Sequence, residues 1–277
     1  MDLIFSDIHA DMDALDTILK IAISEEFTKK YGNFERIINL GDVLERGSHP
    51  KEVLVKLDSL AKNHSIFSVM GNHDEAFLYK RPVSGVSLQS WTAHQSLTDD
   101  DLAFFPKNKD GTFGQQLFID KKNNLFCVHG GPLDPLKITP KDANDEAWLY
   151  QRSWQRLSEE EFEYFSYYGY HYKPSSAFGE ANSHLNNFII LCGHQHIETA
   201  LVQDSEIKEI HSSLKTTQER TSGFVLGKKE IEINQSSNYL IRLGLGGPSG
   251  YYGVGTAQPH FGIIQYNPKK MILFTVE

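Results

Sequence analysis

Five short segments rich in aspartate, asparagine and histidine constrain the fold of this 277-residue chain more than any other feature. Each segment stands where a short apolar run ends, so its polar side chains are expected to follow a buried strand. Carboxylate, amide and imidazole groups are ligands for hard or borderline metal ions. We therefore interpret the segments as one metal site built at the ends of several strands. In chain order they are SDIHAD (6–11), GDVLERG (41–47), GNHD (71–74), VHGG (128–131) and GHQH (193–196).

The order of the apolar runs in the first 70 residues indicates parallel strands. LIF (3–5), RIINL (36–40) and SIFSVM (65–70) have the length of short buried strands. Between them, residues 13–27 and 50–62 carry apolar residues at helical spacing. This alternation predicts a parallel sheet with right-handed crossovers. Open α/β sheets bind their ligands at the carboxyl ends of the strands, which is where the polar segments lie.

The rest of the chain predicts more strands around an insertion. QLFID (116–120) and NLFCVH (124–129) predict a hairpin. Residues 131–187 are charged and aromatic, and we interpret them as an inserted helical lobe that leans over the site. The C-terminal third alternates apolar and polar residues, which predicts mostly antiparallel strands, and its segment GGPSGYYGVG (246–255) predicts a loop. We expect a single domain over residues 1–277 with this lobe.

Composition and charge disfavour several classes of protein. The formal charge is −9 at pH 7, whereas a general nucleic-acid-binding protein presents a basic face. The only cysteines, Cys127 and Cys192, lie in apolar runs and are expected to be buried thiols of a reducing compartment. The N-terminal segment lacks a signal-peptide pattern, and no apolar run approaches the ~18 residues of a membrane span. We therefore expect a cytoplasmic protein that binds neither nucleic acid nor a membrane.

The candidate metal ligands are recognised by their shared position rather than one by one. Asp7 and His9 are two residues apart, which puts both side chains on one side of an extended backbone. Gly41 leaves room for the backbone beside Asp42, whose two oxygens are able to bridge two ions. Alone, Asp42 and Asn72 are equally compatible with helix caps, and a single strand-end histidine is usually structural. Their common place after strand ends favours metal binding for the whole set, which is Asp7, His9, Asp42, Asn72, His129, His194 and His196.

The ordered blocks DxH, GDxxxRG, GNHD, HGG and GHxH resemble those of the calcineurin-like metallophosphoesterase superfamily, including bacterial phosphoesterases, protein-phosphatase-like and dinucleoside-tetraphosphatase-like members. The blocks span residues 6 to 196. The resemblance implies an α/β (α+β) fold, a four-layer β-sandwich flanked by helices with a dinuclear site at one end. It implies two metal sites that share Asp42 as a bridge. The first would use Asp7, His9, Asp42 and His196, and the second Asp42, Asn72, His129 and His194.

The resemblance also implies the cofactor and the reaction. The cofactor would be two divalent transition-metal ions, with manganese favoured and iron, zinc and nickel as alternatives. Two such ions ~3.5–4 Å apart hold both oxygens of an in-line displacement at phosphorus and lower the pKa of a bridging water. The attacking group would then be a metal-bridging hydroxide, without a covalent enzyme intermediate.

His73 follows the implied ligand Asn72, and the family places this histidine beside the phosphate and the leaving group. The resemblance therefore implies that His73 is the general acid, or a donor to the transition state. A carboxylate should orient it, and both Glu45 and Asp74 are candidates. Eukaryote-type serine/threonine phosphatases have aspartate where this chain has Glu45.

Two arginines are candidates for binding phosphate. Arg46 matches the family arginine that grips phosphate, and its guanidinium can bind two phosphate oxygens at once. LYQRSW (149–154) resembles the LWxR block of bacterial protein-phosphatase-like members, with Tyr150 in place of tryptophan, so Arg152 is a second candidate. The alternative is a helix on which Arg152 points to solvent. The aromatic run 164–172 would either stack on a nucleobase or, as is commoner, form internal packing.

These observations predict a metal-dependent phosphoric ester hydrolase. Its substrate would be a phosphomonoester, on a small molecule or a phosphoprotein, or a dinucleoside polyphosphate. The alternative is a phosphodiesterase acting on cyclic nucleotides or other diesters. A non-catalytic scaffold of the same fold is disfavoured because every expected ligand and His73 are present. The sequence does not predict the oligomeric state.

Overall fold

The computed structural model describes residues 1–81, 83, 87–160, 162–249 and 258–277. In these ranges the strands are β1 (Asp2–Phe5), β2 (Arg36–Asn39), β3 (Ser65–Ser68), β4 (Phe118–Asp120), β5 (Leu125–Cys127), β6 (Arg156–Leu157), β7 (Tyr164–Ser166), β8 (Gly169–Tyr172), β9 (Ile189–Cys192), β10 (Thr199–Gln203), β11 (Ile207–Glu209), β12 (Thr217–Thr221), β13 (Phe224–Glu232), β14 (Asn238–Arg242), β15 (His260–Tyr266) and β16 (Lys269–Val276). The helices are α1 (Met12–Ile23), α2 (Glu25–Tyr31), α3 (Pro50–Ala61), α4 (Asn72–Leu78), α5 (Leu88–Gln95), α6 (Pro135–Ile138) and α7 (Pro174–Asn182), with 3-10 turns at Asp101–Phe104, Asn144–Tyr150 and His211–Ser213.

Two large sheets form the centre of the fold. The first has seven strands in the order β12-β13-β16-β15-β1-β2-β3, and β1, β2 and β3 are parallel as predicted. The second has six strands in the order β11-β10-β14-β9-β5-β4, and β5, β9 and β14 are parallel. The predicted hairpin is confirmed as the antiparallel pair β4 and β5.

Alternating side chains of the strands divide the core into layers. In β1, Leu3 and Phe5 pack with apolar residues of α1, α2 and α3, whereas Ile4 lies in the cluster between the two sheets. In β5, Leu125 faces the first sheet and Phe126 packs with residues of α7. Complete burial of each such side chain contributes ~1.5–3 kcal/mol. The layers are therefore helix, sheet, sheet, helix, which confirms the predicted four-layer sandwich.

The helix predicted at 13–27 is divided in two. α1 ends at Ile23 and α2 begins at Glu25. Ser24 between them is extended, with ψ of 148°, and its hydroxyl accepts a hydrogen bond from the Phe27 amide (3.3 Å). Ser24 therefore caps a new helix, a role that serine fills well. The helix predicted at 50–62 is confirmed as α3.

The segment 131–187 was predicted as a helical lobe, and it contains strands as well as helices. Beside α6, α7 and a 3-10 turn it contains a three-stranded sheet in the order β6-β8-β7. The aromatic run 164–172 forms the β7–β8 hairpin, in keeping with the strand preference of tyrosine and phenylalanine. The assignment of residues 1–277 to one domain stays a prediction.

Two further predictions concern the loop and the membrane. Residues 246–249 have no strand or helix, while 250–255 of the predicted loop lie outside the described residues. Among the helices that the structure describes, none has both the length and the apolar character needed to cross a bilayer.

Candidate metal centre

The five polar segments meet at one end of the sandwich. Each begins within three residues of the carboxyl end of its strand, which is β1, β2, β3, β5 or β9. Two groups of potential ligands result, and within each group the ligand atoms lie within 4.8 Å of one another. Asp42 belongs to both groups. The first is Asp7, His9, Asp42 and His196, and the second is Asp42, His129 and His194.

The backbone at these residues is left-handed rather than extended. Asp7 has φ of 57° and His9 has φ of 49°, so the prediction of extended spacing for this pair was wrong. The two side chains converge because the chain turns sharply after β1. Such conformations cost ~1–3 kcal/mol each and persist only where their surroundings impose them. Of the thirteen non-glycine residues with positive φ in the described ranges, eight lie in the polar segments: Asp7, His9, Ala10, Asp42, Glu45, Arg46, His194 and His196.

Backbone hydrogen bonds tie the loop after β1 to the loop after β2. The amides of Asp7 and His9 donate to the carbonyls of Gly41 (2.9 Å) and Asp42 (2.8 Å). Gly41 itself has φ of 96°, and a Cβ there would lie 2.6 Å from the Gly71 nitrogen. A side chain at Gly41 would therefore separate the loops that carry the ligands, in agreement with the role predicted for this glycine.

The two aspartates each hold one oxygen towards the ligand group. Asp7 Oδ2 accepts from the His194 amide (3.1 Å), and Asp42 Oδ1 accepts from the His73 amide (2.8 Å). The second oxygens, Asp7 Oδ1 and Asp42 Oδ2, are buried and have no well-aligned donor in the described part of the chain. Asp7 Oδ1 lies 3.2 Å from His196 Nε2, and Asp42 Oδ2 lies 3.3 Å from His129 Nε2. A buried carboxylate oxygen without a well-aligned donor is costly, and a cation between these groups would relieve that cost. Burial would raise the pKa of Asp42, but nearby imidazoles hold it well below its ordinary value, so this carboxylate stays ionised.

The imidazoles are oriented to offer Nε2 to the same space. His9 Nδ1 lies 3.3 Å from the Leu44 carbonyl, and His129 Nδ1 lies 2.7 Å from the Leu40 carbonyl. A backbone acceptor at Nδ1 fixes the tautomer that leaves the Nε2 lone pair for a metal. His129 Nε2 is 3.1 Å from the Asn72 oxygen, which brings the predicted amide ligand to the second group.

His194 completes the second group in a chemically suitable form. Its side chain is buried, and its Nε2 has no hydrogen-bond partner among the described residues. Burial and the nearby Arg156 guanidinium hold the pKa of His194 well below its ordinary value, so the ring is neutral. Neutral imidazole is the form that binds metals. The whole donor set, two carboxylates, one amide and four imidazoles, therefore fits two divalent ions of borderline hardness.

His73 lies beside this centre and is held by Glu45. Glu45 Oε2 is 3.0 Å from His73 Nδ1, and both side chains are buried. Asp74 instead accepts from the amides of Val43 (2.9 Å), Leu44 (2.9 Å) and Gly71 (3.0 Å). The structure thus separates the two candidates. Glu45 contacts His73, and Asp74 fixes the backbone that carries Asp42 and Asn72.

A cavity of about 400 Å³ opens over the centre, and the segment 131–187 covers one side of it. Arg46 lines this cavity, with its Nη2 3.4 Å from His73 Nε2. The sandwich contributes Asp42, Arg46, Asn72, His73, Val83, His194, Gln195 and His196, and the inserted segment contributes Trp148, Trp154, Arg156, Tyr167 and Tyr168.

Arg152, the predicted second phosphate clamp, is not among the residues that line this cavity. Its Nε donates instead to the Pro132 carbonyl (3.2 Å). The arginine of the inserted segment that lines the cavity is Arg156, four residues later. The motif comparison selected the first arginine of QRSWQR, whereas the pairing of β6 with β8 places the second one at the site.

Gln195 is a second residue that the sequence comparison missed. It stands between the candidate ligands His194 and His196. Its side chain accepts from the Leu157 amide (2.8 Å) and from Arg242 Nη1 (2.6 Å), and it donates to the Leu157 carbonyl (3.2 Å). The ligand loop is therefore fastened directly to β6 of the inserted segment.

The four-layer sandwich and the candidate dinuclear metal centre at its strand ends together indicate the fold of a metal-dependent hydrolase. The profile of the calcineurin-like phosphoesterase family matches residues 3–198. This chain belongs to the calcineurin-like phosphoesterase family, and the predicted family is confirmed.

Solved structures share this fold. A metallophosphoesterase from Sphaerobacter thermophilus is 20% identical, with a TM-score of 0.61 over 100% of this chain and 88% of that one. A hypothetical protein from Pyrococcus horikoshii OT3 is 14% identical, with a TM-score of 0.56 and the same coverage of 100% and 88%. At these identities the likeness shows the fold alone. Among curated proteins, none matches this sequence significantly.

Proposed function

We propose that this protein hydrolyses phosphomonoesters with the help of two bound divalent metal ions. One observation carries the proposal. Asp7 and Asp42 each have one oxygen fixed by a backbone amide and the other turned, without a well-aligned donor, towards imidazole nitrogens. The ligands would be Asp7, His9, Asp42 and His196 for one ion, and Asp42, Asn72, His129 and His194 for the other.

The bound ions would supply Lewis acidity, which lowers the pKa of a shared water and stabilises charge on the phosphoryl oxygens. The protein's own acid would be His73. Glu45 at Nδ1 would hold the ring and stabilise its protonated form, and Nε2 would donate a proton to the leaving oxygen. His73 is the catalytic residue in this scheme and Glu45 is a positioning residue.

Two cationic side chains in the cavity favour a monoester over a diester. Arg46 and Arg156 both line it, from the sandwich and from the inserted segment. A terminal phosphate carries up to two negative charges and offers three oxygens, whereas a diester carries one charge and offers two. Guanidinium groups bind such oxygens in pairs, so two of them match the terminal phosphate better.

The first test is metal content. We expect close to two transition-metal ions per chain after reconstitution with Mn²⁺, and iron, zinc or nickel as acceptable replacements. Asp42→Asn should lose most of this metal because Asp42 belongs to both ligand groups. Asp58→Asn is the matched control, since Asp58 is exposed and its one ion pair among the described residues is with exposed Lys62. Full activity without metal would exclude the proposed mechanism.

The second test is a substrate panel. It compares p-nitrophenyl phosphate, a phosphopeptide and a nucleoside monophosphate with bis-p-nitrophenyl phosphate, a cyclic nucleotide and diadenosine tetraphosphate. We expect the monoesters to show the highest kcat/KM. A clear preference for a diester or for the polyphosphate would replace the monoester proposal. No turnover of any compound by metal-loaded protein would reject hydrolysis altogether.

A further inference from the structure

The aromatic run 164–172 divides into packed and projecting side chains. Tyr164 stacks on His171, with ring centres 4.1 Å apart, and Phe165 stacks on Tyr150 at 4.6 Å. Tyr167 and Tyr168 in the turn between β7 and β8 are different, since 86% and 69% of their surfaces are exposed. Both nevertheless line the cavity over the metal centre.

The turn that carries these two tyrosines is fixed in place. The Tyr168 amide donates to Ser166 Oγ (3.1 Å), and Arg156 Nε donates to the Tyr168 carbonyl (2.8 Å). The next residue, Gly169, has φ of 119°, and a Cβ there would lie 2.0 Å from the Trp154 carbonyl oxygen. The backbone of the turn is therefore held against the cavity wall, and little ordering is left for binding to impose.

Arg156 connects the tyrosines to the phosphate end of the cavity. Its side chain lines the cavity together with Asp42, and its guanidinium lies 5.9 Å from the ring centre of Tyr168. A third aromatic side chain, Trp154, lines the same space, and its buried indole N–H has no acceptor in the described part of the chain. The cavity lining thus combines a guanidinium, two exposed aromatic faces and an indole donor that has no partner among the described residues.

We propose that Tyr167 and Tyr168 form a stacking platform that selects phosphomonoesters whose alcohol carries a planar aromatic ring. This proposal rests on the proposed phosphomonoesterase function. With the phosphate at the metal ligands and arginines, the alcohol part of the ester would extend towards the exposed rings of Tyr167 and Tyr168, which present flat, amphipathic faces. The cavity of about 400 Å³ is within the range of small-molecule sites, ~300–1,000 Å³, which suits a free nucleotide or aryl phosphate.

The test uses pairs of ligands that differ only in the ring. Adenosine 5′-monophosphate is compared with ribose 5-phosphate, and phenyl phosphate with cyclohexyl phosphate. Their Kd values are measured by calorimetry on metal-loaded His73→Asn protein, so that binding is read independently of turnover. Stacking on an aromatic side chain contributes ~1–3 kcal/mol, or about 5- to 150-fold in affinity. We expect the aromatic member of at least one pair to bind at least about fivefold more tightly.

The same Kd measurements on further substituted His73→Asn protein test whether the two tyrosines cause that preference. Tyr167→Ala with Tyr168→Ala should bring the Kd ratio of the affected pair close to one, while the double phenylalanine variant should keep it because stacking does not need the hydroxyl. Phe162→Ala is the control, since Phe162 is an exposed aromatic of the same segment that does not line the cavity. The two tyrosines are exposed, so their removal should leave the melting temperature unchanged.

The outcomes separate this inference from the proposed function. Preference in the nucleotide pair alone identifies a nucleobase as the ring, and preference in the phenyl pair identifies aromatic rings in general. An unchanged ratio in the double alanine variant, or no preference in either pair, overturns the platform even if the enzyme hydrolyses monoesters. Absence of hydrolysis by wild-type protein with every metal would reject the proposed function instead.

Discussion

The contact between Glu45 and His73 gives the most specific mechanistic prediction. Glu45→Gln keeps the shape of the side chain and removes its charge. The hydrogen bond that it alters is 3.0 Å long and buried, and the two residues lie outside the metal-ligand groups. A hydrogen bond to a charged group contributes ~1.5–3 kcal/mol, and ~1.4 kcal/mol is a factor of ten in rate. We therefore expect kcat to fall about 10- to 150-fold with an unchanged metal content.

The assay compares leaving groups. A p-nitrophenolate ion leaves without a proton, whereas an alkoxide needs one, so the loss should be large for an alkyl phosphate and small for p-nitrophenyl phosphate. Glu52→Gln is the control because Glu52 is an exposed glutamate on α3. Equal losses on both substrates would refute the positioning role of Glu45 in proton donation. A loss of bound metal would show that the substitution disturbs the centre itself.

Other predictions concern phosphate binding, metal linkage and acid stability. Arg156→Ala should raise KM for monoesters about 10-fold or more, whereas Arg152→Ala should leave KM unchanged, as measured by steady-state kinetics. Mn²⁺ at ~100 times its Kd should raise the melting temperature by about 5–10 °C, and a chelator should reverse this in a thermal scan. Asp120 accepts from Arg36 Nη1 (2.5 Å), and although burial raises its pKa, Asn123 and Arg36 hold it below the ordinary value. Its contribution is therefore full above about pH 4 and is lost at lower pH. Asp120→Asn should cost ~1–3 kcal/mol of unfolding free energy at pH 7 and less near pH 2, as measured by urea denaturation.

The sequence predicted that the five polar segments meet at one end of the molecule, because strand topology determines where they lie. Once β1, β2 and β3 are parallel, the residues that follow them must lie at one edge, whatever the details of each turn. That argument needs only residue type and the place where an apolar run stops. It did not predict how Asp7 and His9 converge, because a left-handed turn depends on hydrogen bonds to the neighbouring loop at Gly41 and Asp42.

The part of the cavity lining that the inserted segment contributes was harder to predict from the sequence. Arg156 reaches the cavity only because β6 pairs with β8, and Tyr167 projects only because Gly169 closes the hairpin. No short sequence pattern predicts the position of either residue, because both positions depend on strand pairing within an irregular inserted segment. The choice between Glu45 and Asp74 was also open, because both lie in the polar segments and only the fold shows which one contacts His73.

Hydrogen bonds of the Gln195 side chain connect the candidate metal centre to the inserted segment. Its neighbours His194 and His196 are candidate ligands of different ions, and its side chain holds both the amide and the carbonyl of Leu157. Leu157 is adjacent to Arg156 in β6, so the Gln195 side chain ties the candidate ligand loop to the strand that carries Arg156. A second link runs from α4, where Glu75 accepts hydrogen bonds from Ser153 and Gln116. The inserted segment is therefore part of the wall of the candidate centre, and a displacement of β6 would move Arg156 together with the loop that carries His194 and His196.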